Sequence, residues 1–243
     1  VWGLALLSGL GGCASRSAGG TTPPPLDERF ELPPGIRAVA VDMGPGTLEI
    51  IGDAAATAVK GHVHSRAGGP TFEQRVEGDV LRLRVVCPRN ERLSCTTRVE
   101  LHTPVDLSVS ADLGPGEVQL RDLRGNVRLD LGPGQVRVEG LRGAELSVDM
   151  GPGQIDLLGL AVERIRADLG PGQLRIDAIE TPASIQVDAG PSEIDVIVPV
   201  GEYQLEIASS PGNVRTSGIT ARDQATRRIA IDAGPGNVTV RGR

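Results

Sequence analysis

The sequence predicts an all-β protein: a parallel β-solenoid, or β-helix, of about 20 residues per rung with an antiparallel β cap at its N-terminal end. Three observations predict it. A motif of the form Asp-x-Gly-Pro-Gly recurs along the chain. Apolar residues alternate with period two on both sides of it, and outward charges alternate in sign when the repeats are stacked.

The full motif stands at Asp42–Gly46, Asp112–Gly116, Asp130–Gly134, Asp149–Gly153, Asp168–Gly172 and Asp232–Gly236, with a variant at Asp188–Ser192 and a degenerate copy at Ala208–Gly212. From Asp112 the steps are 18, 19, 19, 20, 20 and 24 residues. A period near 20 marks stacked supersecondary units rather than a conventional core. Counting from each Asp, apolar residues fall three and one before it (Val109 and Ala111, Val127 and Leu129, Leu146 and Val148) and six and eight after it (Val118 and Leu120, Val136 and Val138, Ile155 and Leu157). That alternation gives two short strands per repeat, each with one buried face. Proline cannot donate to a ladder and glycine permits unusual backbone angles, so Gly-Pro-Gly is the corner between them. A further apolar residue eleven after the Asp (Leu123, Leu141, Leu160, Ile179, Ile219) suggests a shorter third side.

The outward column seven after each Asp reads Gln119, Arg137, Asp156, Arg175, Asp195, Arg215 and Thr239. Rungs ~4.8 Å apart set each charge between opposite ones, and cross-strand pairs of this kind contribute roughly 0.2–1 kcal/mol each. A one-rung slip would oppose like charges, so the column also specifies register. The column five after each Asp (Glu117, Gln135, Gln154, Gln173, Glu193, Asn213, Asn237) is close to an amide ladder. Residues 105–243 therefore read as about seven rungs, ~34 Å of solenoid. Residues 36–104 fit the period less well. Glu77-Gly78-Asp79 between alternating runs reads as a hairpin turn, and the segment is expected to be an antiparallel cap that blocks edge pairing on the first rung. The degenerate rung at Ala208–Gly212 and the end at Arg241–Arg243 leave the last edge poorly protected, open to edge-to-edge self-association.

Ahead of the cap, residues 1–13 form an apolar run ending Leu10-Gly11-Gly12-Cys13. It resembles a bacterial lipoprotein signal with its lipobox, although the basic first segment of a secretory signal is missing. The resemblance makes Cys13 the lipidation site and the membrane a partner. Ala14 follows it where an Asp would be the familiar inner-membrane retention signal, which favours the outer membrane. Residues 14–35, with Pro23-Pro24-Pro25 and Pro33-Pro34, read as a flexible tether. In an exported chain Cys87 and Cys95 are expected to form a disulfide across a hairpin tip.

Composition excludes more than it assigns. A net charge of −6 argues against a nucleic-acid partner, and 2% aromatics leave little to stack sugars on. Stacked aspartates at 112, 130, 149, 168 and 188 would repel by about 1 kcal/mol per pair in water. Either calcium bridges them or each carboxylate caps the N–H of the glycine two residues on, with Arg128 and Arg166 nearby; the capping reading is preferred. His62 and His64 share one strand face but have no clear third ligand. Carboxylates such as Asp149, Asp168 and Asp188 invite comparison with polysaccharide-cleaving β-helices, yet they repeat on every rung, whereas an active site is a local exception. No phosphate-cradling or nucleophile motif is present, and no cofactor is expected.

The strand ending at Pro104, the run Val105–Val118 and the rungs of about 20 residues resemble the bacterial putative-adhesin family, envelope β-strand-repeat domains of unknown function related to head GIN-type adhesin domains. The likeness covers roughly Ile36 to Val240. It implies a β-helix on an exported or lipid-anchored protein. The near-invariant Gly-Pro-Gly departs from the family's usual turn of glycine with small polar residues. The expected function is a non-catalytic envelope lipoprotein whose solenoid binds an unknown envelope or extracellular ligand through Gln135, Arg137, Gln154, Asp156, Gln173, Arg175 and Asp195. A periplasmic structural or envelope-stress role is the alternative, and a polysaccharide-active enzyme the third reading.

Overall fold

The computed structural model describes residues 25–65, 69–88 and 95–243; Cys13 and the first half of the tether, residues 14–24, lie outside them. The first strands are β1 (Asp27–Glu31), β2 (Ala38–Met43), β3 (Gly46–Asp53), β4 (Lys60–Ser65), β5 (Thr71–Glu77), β6 (Val80–Val86) and β7 (Thr97–Pro104). The repeats give β8 (Ser108–Leu113), β9 (Gly116–Arg121), β10 (Val127–Leu131), β11 (Gly134–Glu139), β12 (Arg142–Met150), β13 (Gly153–Leu169), β14 (Gly172–Ala178), β15 (Ser184–Ala189) and β16 (Ser192–Val198). The chain ends with β17 (Glu202–Ser209), β18 (Gly212–Ser217), β19 (Thr220–Ala221), β20 (Arg228–Ala233) and β21 (Gly236–Gly242).

The protein is a parallel β-solenoid. One side stacks the strands that precede each corner, in the order β6, β2, β8, β10, β12, the second half of β13, β15, β20 and β17. The other stacks the strands that follow it, in the order β7, β3, β9, β11, the first half of β13, β14, β16, β21 and β18. Every one of these pairings is parallel, giving nine rungs among the described residues, and they align motif on motif: Asp112 pairs with Asp130, and Asp130 with Asp149. The inward positions fill one continuous core, with Leu48, Val118, Leu129, Leu146, Ile155 and Ile176 all buried. Leu123, Leu141 and Leu160 close the third side, whereas Ile179 is exposed.

The corner explains the motif. The first glycine donates back one rung, from Gly132 N to Leu113 O at 3.0 Å, and the second donates forward, from Gly134 N to Pro152 O at 3.1 Å. Hydrogen bonding therefore continues around the bend, and proline sits where no donor is needed. The second glycine is set by close approach. A Cβ on Gly134 would lie 1.9 Å from the carbonyl oxygen of Gly116. Thr97 and Ser192 occupy the same column, and the hydroxyl of each is buried without a hydrogen-bond partner.

Three expectations for the N-terminal part need correction. The antiparallel cap exists, but within 36–104 it consists of β4, paired with β7, and β5, paired with β6; β2, β3, β6 and β7 are two full parallel rungs. Asp42 belongs to the ladder, in register with Asp112. The tether ends earlier than residue 35, because β1 adds antiparallel to β4. The cause is Phe30, whose ring stacks on Phe72 at 6.0 Å and lies where a Cβ on Gly61 would stand. Finally, the Cys87–Cys95 disulfide forms, but β6 and β7 are the two sides of one rung rather than a hairpin. The bridge stands in for a missing Gly-Pro-Gly corner, with Cys87 Sγ beside Gly44. The hairpin at Gly78, which has a positive φ of 65°, joins β5 to β6 as expected.

The order of rungs departs from chain order at both ends. The rung of β6 and β7 lies outside that of β2 and β3, and the rung of β20 and β21 sits between those of β15–β16 and β17–β18.

Two measurements check this account. Gly134→Ala should lower unfolding stability by about 1–3 kcal/mol, the usual cost of forcing atoms into a packed site, read from urea unfolding at unchanged m-value. Replacing Cys87 and Cys95 by Ser should cost roughly 2–4 kcal/mol from lost chain restriction, read by the same assay with and without reductant on the parent protein.

Candidate functional site

The solenoid presents two flat outward faces, and their electrostatics differ. On the face after the corner, Gln135, Gln154 and Gln173 stand in register, as do Arg137, Asp156, Arg175 and Asp195. The register is the one expected; the contacts are not. No Arg–Asp pair within this column closes to 4.0 Å. Arg137 instead bonds Glu139 on its own strand, Nε to Oε1 at 2.7 Å, and Gln154 donates to Asp156 at 2.9 Å. Asp195 takes Arg241 diagonally at 2.6 Å, and Arg243 reaches Asp177 at 2.8 Å. Neighbours two apart on one strand reach each other as easily as neighbours across rungs, so Arg137 and Asp195 find partners outside the column, Asp156 takes an amide, and opposite charges along the column balance without pairing. One amide–amide rung survives, from Asn213 Nδ2 to Asn237 Oδ1 at 3.2 Å.

The face before the corner carries the aspartates. Asp42, Asp112, Asp130, Asp149, Asp168, Asp188 and Asp232 form one in-register column. Arg84 closes its N-terminal end at 3.3 Å from Asp42, and Ala208 stands at the other end. The capping role expected for these carboxylates is not realised, because the glycine N–H groups already bond backbone carbonyls of the adjacent rung. Among the described residues no three acidic, histidine or cysteine groups converge on a point. Apart from Asp42, no column aspartate makes an ion pair among the described residues. The repulsion is eased by exposure to water and by Arg128 and Arg166, which lie on the same face.

Asp168 shows the consequence. Partial burial first, then Asp149 and Asp188 on either side, push its carboxyl above the ordinary value, with Arg166 opposing. Between the ordinary carboxylate pKa and the raised one, the folded state binds more protons than the unfolded state, so stability falls as pH rises through that window.

Two further clusters lie near the cap. His62 bonds Asp27 at 2.7 Å, which holds that carboxyl below its usual range, and His64 stacks beside His62 with ring centres 5.0 Å apart. The pair fastens β1 to β4. The second is a shallow cleft walled by β5, where Glu73, Arg75, Arg84, Asp112 and Arg128 meet. Sequence reasoning missed it, because only the antiparallel return of β5 brings Glu73 and Arg75 beside the aspartate column.

Asp168→Asn should raise the melting temperature at pH 7, and the gain should shrink as pH is lowered through the carboxylate range. A thermal unfolding series across pH checks it.

No curated protein matches the chain. Solved structures with a similar course of chain include a putative cell adhesion protein from Clostridium sporogenes, 14% identical, covering 90% of this chain and 100% of that one with a TM-score of 0.38. A putative adhesin from Bacteroides fragilis is 11% identical, covering 90% and 97% with a TM-score of 0.47. A putative lipid binding protein from Parabacteroides distasonis is 11% identical, covering 89% and 97% with a TM-score of 0.45. The Toastrack DUF4097 family model matches residues 94–241, from the strand that follows the disulfide corner to the last strand of the chain. That is more than half of the 243 residues, and the protein belongs to this family.

Proposed function

We propose that the protein is a non-catalytic envelope lipoprotein, anchored through Cys13, whose solenoid serves as a rigid surface for adhesion or binding. One observation carries the reading: nine in-register rungs hold two flat, differently charged faces in fixed geometry. Such a surface suits an extended polar partner that also repeats, because the rungs set their outward groups at ~4.8 Å intervals, with the charge at one column alternating from rung to rung. Electrostatic complementarity of this kind gives specificity and on-rate more than raw affinity. The neutralised face with Gln135, Arg137, Gln154, Asp156, Gln173, Arg175 and Asp195 is the docking surface in this reading, and the outer membrane its location.

Protease shaving of intact cells, read with an antibody to residues beyond Asp112, tests it. Loss of signal from whole cells, with an intracellular control preserved, is the expected result. Full protection until the envelope is opened would instead favour the periplasmic structural role.

A further inference from the structure

The two ends of the solenoid are finished differently. At the N-terminal end β5 covers one side and β4 the other, both antiparallel to the rungs, β1 adds antiparallel to β4, and the Phe30–Phe72 stack packs against the core. At the opposite end the last rung, β17 and β18, has no such cover among the described residues. β17 from Gln204 onward and β18 are hydrogen-bonded along one side, to β20 and β21; Glu202 and Tyr203 pair with β19, and the other edge of residues 204–209 and 212–217 has no strand partner among the described residues. Every residue of β18 is exposed. Leu205 and Ile207, which are fully buried positions in the other rungs, are only partly buried, and Val214 is 44% exposed.

Side-chain contacts fasten this rung. Tyr203 is buried and its hydroxyl donates to Pro199 O at 2.8 Å. Arg222 holds Glu202 at 2.7 Å, and Arg228 holds Glu206. Natural sheets blunt free edges with lysine, proline or bulges. Within β18 the sequence Gly-Asn-Val-Arg-Thr-Ser offers a single charge, Arg215, which makes no ion pair among the described residues.

We propose that two copies of this chain join through their β17–β18 rungs, end to end about a two-fold axis through the Ser210–Pro211 corner. That axis lays β17 of one copy antiparallel to β18 of the other. Residues equally far from the corner become opposite: Ile207 meets Val214, and Glu206 meets Arg215. The apolar pair lies on the core side and the charged pair on the outer face, so one placement satisfies both. A two-fold contact repeats each pair twice, and it closes, leaving no further edge at that end. Ala208, in place of the aspartate, ends each acidic column one rung short of the junction.

Sedimentation velocity of the full chain carrying Cys13→Ser, which prevents acylation, tests this over a concentration series. A concentration-dependent dimer is expected. Arg215→Glu and Glu206→Arg should each weaken it by roughly tenfold or more, as like charges set opposite each other do at interfaces. An equimolar mixture of the two variants should recover the dimer, because both charged pairs are then restored; a merely misfolded variant could not do so. A monomer at every concentration, a dimer indifferent to both substitutions, or a mixture that stays monomeric would each overturn the proposal.

Discussion

Each residue in this protein must tolerate a near copy of itself one rung away. Parallel stacking at ~4.8 Å is the constraint on which the rest depends, and it acts with opposite sign on different groups. Inward, it lets Val127 lie on Val109 and Leu146 on Val127, giving a core without a gap between layers. At the corner it leaves no room for a Cβ on Gly134. Outward, it forces aspartate beside aspartate for seven rungs.

The two faces answer that last problem in different ways. After the corner, opposite charges are interleaved, and Arg137, Glu139, Asp195 and Arg241 settle into along-strand and diagonal pairs. Before the corner, the column remains charged and relies on solvent, with Arg84 pairing its first member and arginines beside it. Surface ion pairs add little stability individually. Their value here is in register, since an acidic column is indifferent to a one-rung slip while an alternating one is not.

The sequence made the rungs legible because their period is short and their inward positions are apolar in nearly every repeat. Strand boundaries, corners and the register of Asp112 through Asp188 all follow from it. It also pointed to the outward faces, but not to which groups would touch: Arg137 chose Glu139 over Asp156, a matter of side-chain reach that column reading ignores. The aspartate caps failed for a different reason. The donors they were expected to satisfy were already committed to the neighbouring rung, which a single repeat does not reveal. Asp42 lost its rung partners in the reading because 69 residues, including β4 and β5 of the cap, separate it from Asp112. The disulfide was found by its cysteines, while its place as a corner needed β6 and β7 to be seen on different sides.

The exchange of rung order at the two ends bears on how the chain is made. A solenoid whose rungs follow the sequence can lengthen as the polypeptide emerges, each turn resting on the one before. Here the strands of β17 and β18 are synthesised before the pair that must lie beneath them. They have no seat on the stack until β20 and β21 have arrived. Synthesis interrupted before residue 228 would leave a finished seven-rung body trailing an unplaced segment, so the far end of the stack is completed only by its last strands.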